Sequence, residues 1–168
     1  LPEADWDRII NVDLRGVFLC TRKVIPEMLK AKKGSVINIA SVHSIACVAQ
    51  ASAYDAAKWG VVGLTKALAV EYASRGIRFN ALSPGLIATN IWKAVLDAAP
   101  SEQQAWDYWK SNIPAGRPGT PEEIAHVATF LASDEASYVT GSNILADGGM
   151  TSLLISLQPY QSKAIEGK

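Results

Sequence analysis

The spacing of apolar residues alternates along the chain between the period of a helix and that of a buried strand. Apolar residues recur every three or four positions from Trp6 onward, which predicts a helix over residues 5–31. A short and almost wholly apolar run predicts a strand over 35–41, and a second strand is predicted over 77–83. Residues 53–74, which lie between these strands, are predicted to form a helix.

The C-terminal third of the chain predicts one more helix and one more strand. Thr120, Pro121 and Glu123 form a helix start, with threonine as the cap, proline at the first helical position and glutamate completing a capping box. This helix is predicted to run to residue 132, and a strand is predicted over 142–149. Helices between successive strands favour parallel pairing with right-handed crossovers, so the predicted fold class is α/β.

Composition narrows the class of protein. The 16 basic and 16 acidic residues leave no net charge, which predicts neither a nucleic-acid partner nor an acidic membrane surface. No apolar run is long enough to suggest a membrane span, and no signal peptide is recognised, so we expect a cytoplasmic protein.

No metal-ligand spacing is completed by Cys20, Cys47 and His126. The two cysteines are expected to be buried or half-buried.

A tyrosine and a lysine stand four positions apart in "SAYDAAKWG", residues 52–60. On a helix this spacing places Tyr54 and Lys58 on one face. A lysine cation stabilises a nearby phenolate, which makes the tyrosine a better general acid or base. The alternative interpretation of the pair alone is an ordinary helix surface.

A serine follows the first predicted strand in "GSVINIASVHS", residues 34–44. In open α/β sheets, ligands bind outside the carboxyl ends of the strands, so Ser41 is well placed to donate a hydrogen bond to a substrate oxygen. His43 lies two residues further on, near the same expected pocket, and is a candidate substrate contact.

Five ordered segments resemble the classical short-chain dehydrogenase/reductase family. They are "NVDLRGVF" (11–18), "INIAS" (37–41), "YDAAK" (54–58), "RFNALSPGLIATNI" (78–91) and "GRPGTPEEIAHVATFLASDEASYVTGSNILADGG" (116–149). The resemblance implies a Rossmann-like, doubly wound parallel sheet, of which this chain holds the C-terminal part. It assigns residues 1–150 to a single domain and 151–168 to a C-terminal tail.

The resemblance also implies an activity and its residues. The family transfers a hydride between NAD or NADP and a secondary alcohol or carbonyl, commonly as a homotetramer. Tyr54 would be the proton donor or acceptor, Lys58 would hold the nicotinamide ribose, and Ser41 would orient the substrate oxygen. The family's nicotinamide loop corresponds here to four positions, Pro84, Gly85, Ile87 and Thr89.

Two departures from the family pattern stand out. Asp13 occupies the position where the family usually has a catalytic asparagine, and its charge near Lys58 is expected to alter the coupled titration of the site. The family's glycine-rich pyrophosphate turn is missing from the sequence. The chain is therefore interpreted as a fragment or as a truncated relative, and residues 1–168 alone are expected to bind cofactor weakly, to be inactive and to aggregate.

The substrate class is indicated by the segment that follows the predicted nicotinamide loop. The segment 90–115 corresponds to the family's substrate lid, and Trp92 could close over a pocket, although aromatic residues at such spacing often form core or subunit interface. Together with His43, Gln50 and Asp55, it favours a sugar or polyol, with 3-oxoacyl thioesters and small diketones as competitors. The rival class is a non-catalytic interaction module.

Overall fold

The computed structural model describes residues 1–154, which contain six α-helices and a three-stranded sheet. The helices are α1 (Glu3–Ile10), α2 (Gly16–Ala31), α3 (Ser52–Tyr72), α4 (Asn90–Ala98), α5 (Glu102–Asn112) and α6 (Pro121–Ala132). The strands are β1 (Gly34–Ile39), β2 (Ile77–Pro84) and β3 (Asn143–Ala146). The predicted tail begins in a turn at Met150–Ser152, and its remainder from residue 155 lies outside the described residues.

The sheet confirms the parallel pairing that the alternation of elements predicted. The strand order is β1-β2-β3, and both pairs are parallel. Gly34 lies opposite Ile77, and Ile39 lies opposite Leu82. Because parallel strands end at a common edge, the residues that follow β1 and β2 share one side of the sheet. Within residues 1–154, β1 pairs with β2 alone, and Ile39 is 48% exposed.

The predicted N-terminal helix is interrupted by one π-helical turn, Asn11–Arg15, between α1 and α2. A π turn adds a residue to the helical repeat, and such turns are frequent at functional sites. The turn carries Asp13 and Leu14. Leu14 packs against an apolar cluster of the core, whereas Trp6 and Phe18, on the same predicted apolar side, are 40% and 45% exposed.

The chain divides into two compact units. The first comprises Leu1–Pro84 and Glu122–Ala146 and holds all three strands. Its core consists of two apolar clusters between the helices and the sheet; their buried members are Ile25, Ala69, Ile77 and Phe79 in one, and Ala40, Val61, Val62 and Ala81 in the other. The prediction of a single domain over residues 1–150 stays a prediction.

The second unit contains Gly85–Pro121 and the segment from Asp147. Trp92 is 5% exposed, and its ring meets those of Trp106 and Trp109 edge-on at 5.0 and 6.1 Å between centroids. These tryptophans therefore form an aromatic core. Across residues 1–154, every helix is too short or too polar to cross a bilayer.

A carboxylate fixes the turn that follows β3. Desolvation opposes ionisation of Asp147, but hydrogen bonds outweigh it and hold the pKa of this carboxyl below its ordinary value. The donors are Thr151, through its backbone and hydroxyl at 2.8 and 2.5 Å, and the Gly149 amide at 2.9 Å. Gly85 approaches the same turn so closely that a Cβ there would lie 2.8 Å from the Asp147 Cα.

The expectation that the two cysteines are buried or half-buried is wrong, because both are exposed. Cys20 follows Leu19, itself 42% exposed, on α2. Cys47 lies in the loop before α3. Apolar character alone did not distinguish a residue in the core from one on an apolar outer surface.

We predict opposite stability effects for two alanine substitutions. Gly76 precedes β2 with φ +76°, and a Cβ there would overlap the Lys32 carbonyl oxygen. Gly76→Ala should lower the free energy of unfolding by roughly 2 kcal/mol or more. Gly63→Ala is the control, because a Cβ there meets nothing within 4 Å on α3, and it should raise stability by up to about 1 kcal/mol. Urea denaturation of the full-length protein measures both, and equal effects would contradict the prediction.

Candidate active site

Ser41 lies at the carboxyl edge of the sheet, two residues after β1. The Ala40 amide still donates to the Leu82 carbonyl at 2.8 Å, so the chain follows β2 up to the serine. Ser41 is 8% exposed, and its Oγ accepts a hydrogen bond from the His43 amide at 3.2 Å, which starts a short 3₁₀ turn. The hydroxyl is therefore fixed where a ligand of a parallel α/β sheet is expected.

Tyr54 and Lys58 lie in the first turns of α3, and the structure brings them together. The Lys58 Nζ is 5.4 Å from the centroid of the Tyr54 ring. A cation in this position is attracted to the aromatic face. The helix thus places the ammonium and the phenol side by side, as the four-residue spacing predicted.

The Lys58 ammonium is buried and compensated. Lys58 is 8% exposed, and its Nζ lies 3.3 Å from the Asp13 carboxylate and 3.4 Å from the Ile39 carbonyl oxygen. A buried cation without such partners would be strongly destabilising. The lysine therefore links the π turn, the end of β1 and α3.

A glycine allows the π turn to reach Lys58. A Cβ added to Gly60, on α3, would lie 2.7 Å from a methyl group of Leu14. The absence of a side chain at this position lets Leu14 pack against α3. Asp13 precedes Leu14 in the turn, so this packing holds the carboxylate beside the ammonium.

Asp55 forms a pair with His43 that the sequence did not predict. The His43 Nδ1 lies 2.5 Å from an Asp55 carboxylate oxygen, and the exposed fractions of the two side chains are 24% and 9%. The imidazole meets the Tyr54 ring edge-on, with centroids 5.1 Å apart. The sequence indicates Asp55 only as one of the polar residues that suit a polyhydroxylated substrate, and in the structure its carboxylate contacts His43. The sequence signal that could have predicted this pair is an acidic residue directly after Tyr54, with a histidine on the other side of the loop that precedes α3.

Cys47 lies beside the same carboxylate. Desolvation raises the pKa of its thiol, and the neighbouring Asp55 raises it further, whereas Trp59 acts in the opposite direction. A thiol with a raised pKa holds less thiolate near neutral pH and is a poorer nucleophile.

Gln50 and the predicted nicotinamide loop occupy separate parts of the chain. Gln50 is exposed in the loop before α3, with φ +69°, in the left-handed region. Pro84 ends β2 in the first unit, whereas Gly85, Ile87 and Thr89 belong to the second. Their predicted cofactor contacts stay predictions.

Ile87 and Trp92 have structural contacts of their own. Ile87 forms a parallel bridge with Gly119, and the Gly119 amide donates to the Leu86 carbonyl at 2.9 Å. Trp92 is enclosed by the aromatic core of the second unit. This location gives Trp92 a packing role, and its predicted contact with substrate stays a prediction.

Comparisons with known proteins agree on one group of relatives. A family model described as enoyl-(acyl carrier protein) reductase matches residues 1–151. A 3-oxoacyl-[acyl-carrier-protein] reductase of Thermotoga maritima is 46% identical over 150 residues, which cover 89% of this chain and 58% of that protein. The chain therefore spans less than two thirds of this curated relative.

Solved structures give the same result for the fold. A gluconate 5-dehydrogenase from Burkholderia cenocepacia, in complex with NADP and tartrate, has a TM-score of 0.86 and is 34% identical, covering 92% of this chain and 59% of that one. A 4-hydroxyisoleucine dehydrogenase mutant complexed with NADH and succinate has a TM-score of 0.85 at 33% identity, covering 91% and 62%. These neighbours confirm the Rossmann-like fold class.

We predict that Asp55 controls the reactivity of the Cys47 thiol. Asp55→Asn removes the carboxylate that raises the pKa of Cys47, so more thiolate is present at pH 8 and alkylation by iodoacetamide should accelerate a few-fold. Peptide mapping of the full-length protein measures the rate, with Cys20, which is exposed on α2, as the internal reference. An unchanged ratio of the two rates would show that the carboxylate has no such effect.

Proposed function

The chain belongs to the short-chain dehydrogenase/reductase family, and we propose that it carries the catalytic part of an NAD(P)-dependent oxidoreductase. The proposed reaction transfers a hydride between the nicotinamide of NAD or NADP and a secondary alcohol or carbonyl. The observation that carries the proposal is the buried Lys58 ammonium beside the Tyr54 ring, on the side of the sheet where Ser41 follows β1.

The described residues fit the ribose end of such a cofactor. An ammonium has three N–H donors, and within residues 1–154 two acceptors, Asp13 and Ile39, lie near the Lys58 Nζ. One donor therefore remains for a ribose hydroxyl. The nicotinamide supplies or accepts the hydride when it is bound, and Pro84, Gly85, Ile87 and Thr89 are proposed to contact its carboxamide end.

Tyr54 is proposed to move the proton. In the reduction direction its hydroxyl donates a proton to the substrate oxygen, and in the oxidation direction the phenolate accepts one. The Lys58 cation stabilises the phenolate that forms or reacts. Ser41 donates a hydrogen bond to the same substrate oxygen and so orients it.

Asp13 is proposed to act through Lys58. Its carboxylate lies 3.3 Å from the Nζ, where it fixes the ammonium and offsets part of its charge.

The proposed substrate is a polar one, a sugar, polyol or hydroxy acid. His43 contacts the Tyr54 ring and pairs with Asp55, and Gln50 is exposed in the loop that precedes α3. The similarity to a gluconate 5-dehydrogenase bound to tartrate supports this class. The 46% identity to a 3-oxoacyl-[acyl-carrier-protein] reductase supports the alternative, a 3-oxoacyl thioester.

Association with further copies of the chain is also proposed, as a homotetramer. The neighbouring helices α2 and α3 expose apolar side chains, among them Phe18 at 45%, Leu19 at 42% and Val70 at 85%. Such surfaces commonly mark protein interfaces. They also agree with the alternative function, a truncated interaction module without catalysis. The inactivity of residues 1–168 alone and the cytoplasmic location stay predictions.

We predict that Tyr54→Phe in the full-length protein lowers kcat by roughly 100-fold or more, because it removes the proton that general acid/base catalysis requires. Circular dichroism and the Kd for NADPH and NADH should stay near those of the unaltered protein. Turnover is measured as the steady-state oxidation of NADPH and of NADH. The carbonyl substrates are gluconate-type keto acids, ketoses and acetoacetyl thioesters.

Tyr72→Phe is the matched control, since the Tyr72 ring packs against Phe79 in the apolar core and should retain turnover. Equal turnover of the Tyr54→Phe variant and the unaltered enzyme would remove Tyr54 from the mechanism. Absence of turnover in every protein of the series, with every substrate, would favour the interaction module.

A further inference from the structure

The His43–Asp55 pair has no part in the proton transfer described above, yet it touches both hydroxyl-bearing residues of the site. The His43 amide donates to the Ser41 Oγ at 3.2 Å. The His43 ring meets the Tyr54 ring at 76°, with centroids 5.1 Å apart. The His43 backbone is therefore tied to Ser41, and its ring lies against the Tyr54 ring.

Asp55 determines which nitrogen of the imidazole is available. An ionised carboxylate only accepts hydrogen bonds, so the Nδ1 facing it carries the proton. The Asp55 side chain is 9% exposed, so its carboxylate is largely shielded from water. Within the described residues 1–154, no hydrogen bond reaches the other nitrogen, Nε2, and the His43 side chain keeps 24% of its surface exposed.

We propose that Asp55 is a positioning residue that holds His43 with Nε2 free, and that Nε2 binds a hydroxyl group on the carbon next to the reacting carbon of the substrate. The preferred substrates are then α-hydroxy carbonyl compounds and vicinal diols. This inference rests on the proposed oxidoreductase function and narrows its substrate class. A hydroxyl suits the position because it donates to a neutral Nε2 and accepts from a protonated one.

Short distances limit which substrate group reaches Nε2. The substrate oxygen is placed by the hydroxyls of Ser41 and Tyr54, and His43 contacts both residues. Because the His43 ring packs against the Tyr54 ring, a substrate group bound at Nε2 is expected to lie close to the reacting carbon. A simple ketone would leave Nε2 without a partner in a partly buried site, and sites built to bind a hydroxyl discriminate strongly against analogues that lack it.

The tautomer of His43 is tested by ¹⁵N NMR of the full-length protein labelled at histidine. The signal that disappears in His43→Gln is assigned to His43. We expect Nδ1 to be protonated and the neutral ring to carry an unprotonated Nε2, and Asp55→Ala should shift the neutral ring toward the Nε2–H form. An Nε2–H tautomer in the unaltered protein would overturn the positioning role.

Substrate preference is tested with two carbonyl compounds that differ in one hydroxyl, 3-hydroxybutan-2-one and butan-2-one. We expect kcat/KM to favour the hydroxy ketone by about tenfold or more. In His43→Gln an amide stands near the place of Nε2 and should keep part of the preference. In His43→Asn the amide stands near Nδ1 instead, and the preference should be lost, as in Asp55→Ala.

The possible outcomes distinguish a failure of this inference from a failure of the proposed function. Equal losses on both ketones in the His43 and Asp55 variants, or turnover confined to carbonyls without an adjacent hydroxyl, would overturn the inference and leave the oxidoreductase standing. Failure to oxidise either reduced cofactor with any carbonyl compound would overturn the proposed function. In that case the NMR result still decides whether Asp55 positions His43.

Discussion

Compensation of one buried ammonium determines how the candidate site is assembled. Lys58 loses most of its hydration, and the cost of burying its charge is offset by the Asp13 carboxylate and the Ile39 carbonyl. These partners come from the π turn and the end of β1, so the ammonium holds three elements in register. Tyr54 lies one helical turn before the lysine and receives the electrostatic effect of that arrangement.

Parallel pairing in the sheet determines at which edge these residues lie. Parallel pairing of β1 with β2 brings Ser41 and Pro84 to the same edge, and α3 begins at Ser52 after a short loop from the serine. The proposed proton-transfer residues therefore come from one strand end and one helix start. His43 lies on the connection between them and Asp55 in the first turn of α3, which is why this pair is favourably placed to select among substrates.

The sequence was sufficient for the main elements of the sheet and for one contact in the candidate site. Apolar periodicity located β1, β2 and α3, and the i, i+4 spacing predicted the contact of Tyr54 with Lys58. Periodicity does not report a π turn, whose one added residue leaves the apolar pattern nearly unchanged. The His43–Asp55 contact was also not predicted, because it depends on the path of the twelve-residue connection between β1 and α3. The exposure of Cys20 was not predicted, because apolar patterning does not reveal which helix faces stay outside the core.

Lys58 and Tyr54 are proposed to work as one catalytic unit. A double-mutant cycle on kcat in the full-length protein, with Tyr54→Phe, Lys58→Met and both together, measures this most directly. If the lysine acts through the phenol, the double variant should be no slower than the slower single variant, because residues of one catalytic unit are strongly non-additive. Losses that multiply in the double variant would show that the two residues act independently and would contradict the account.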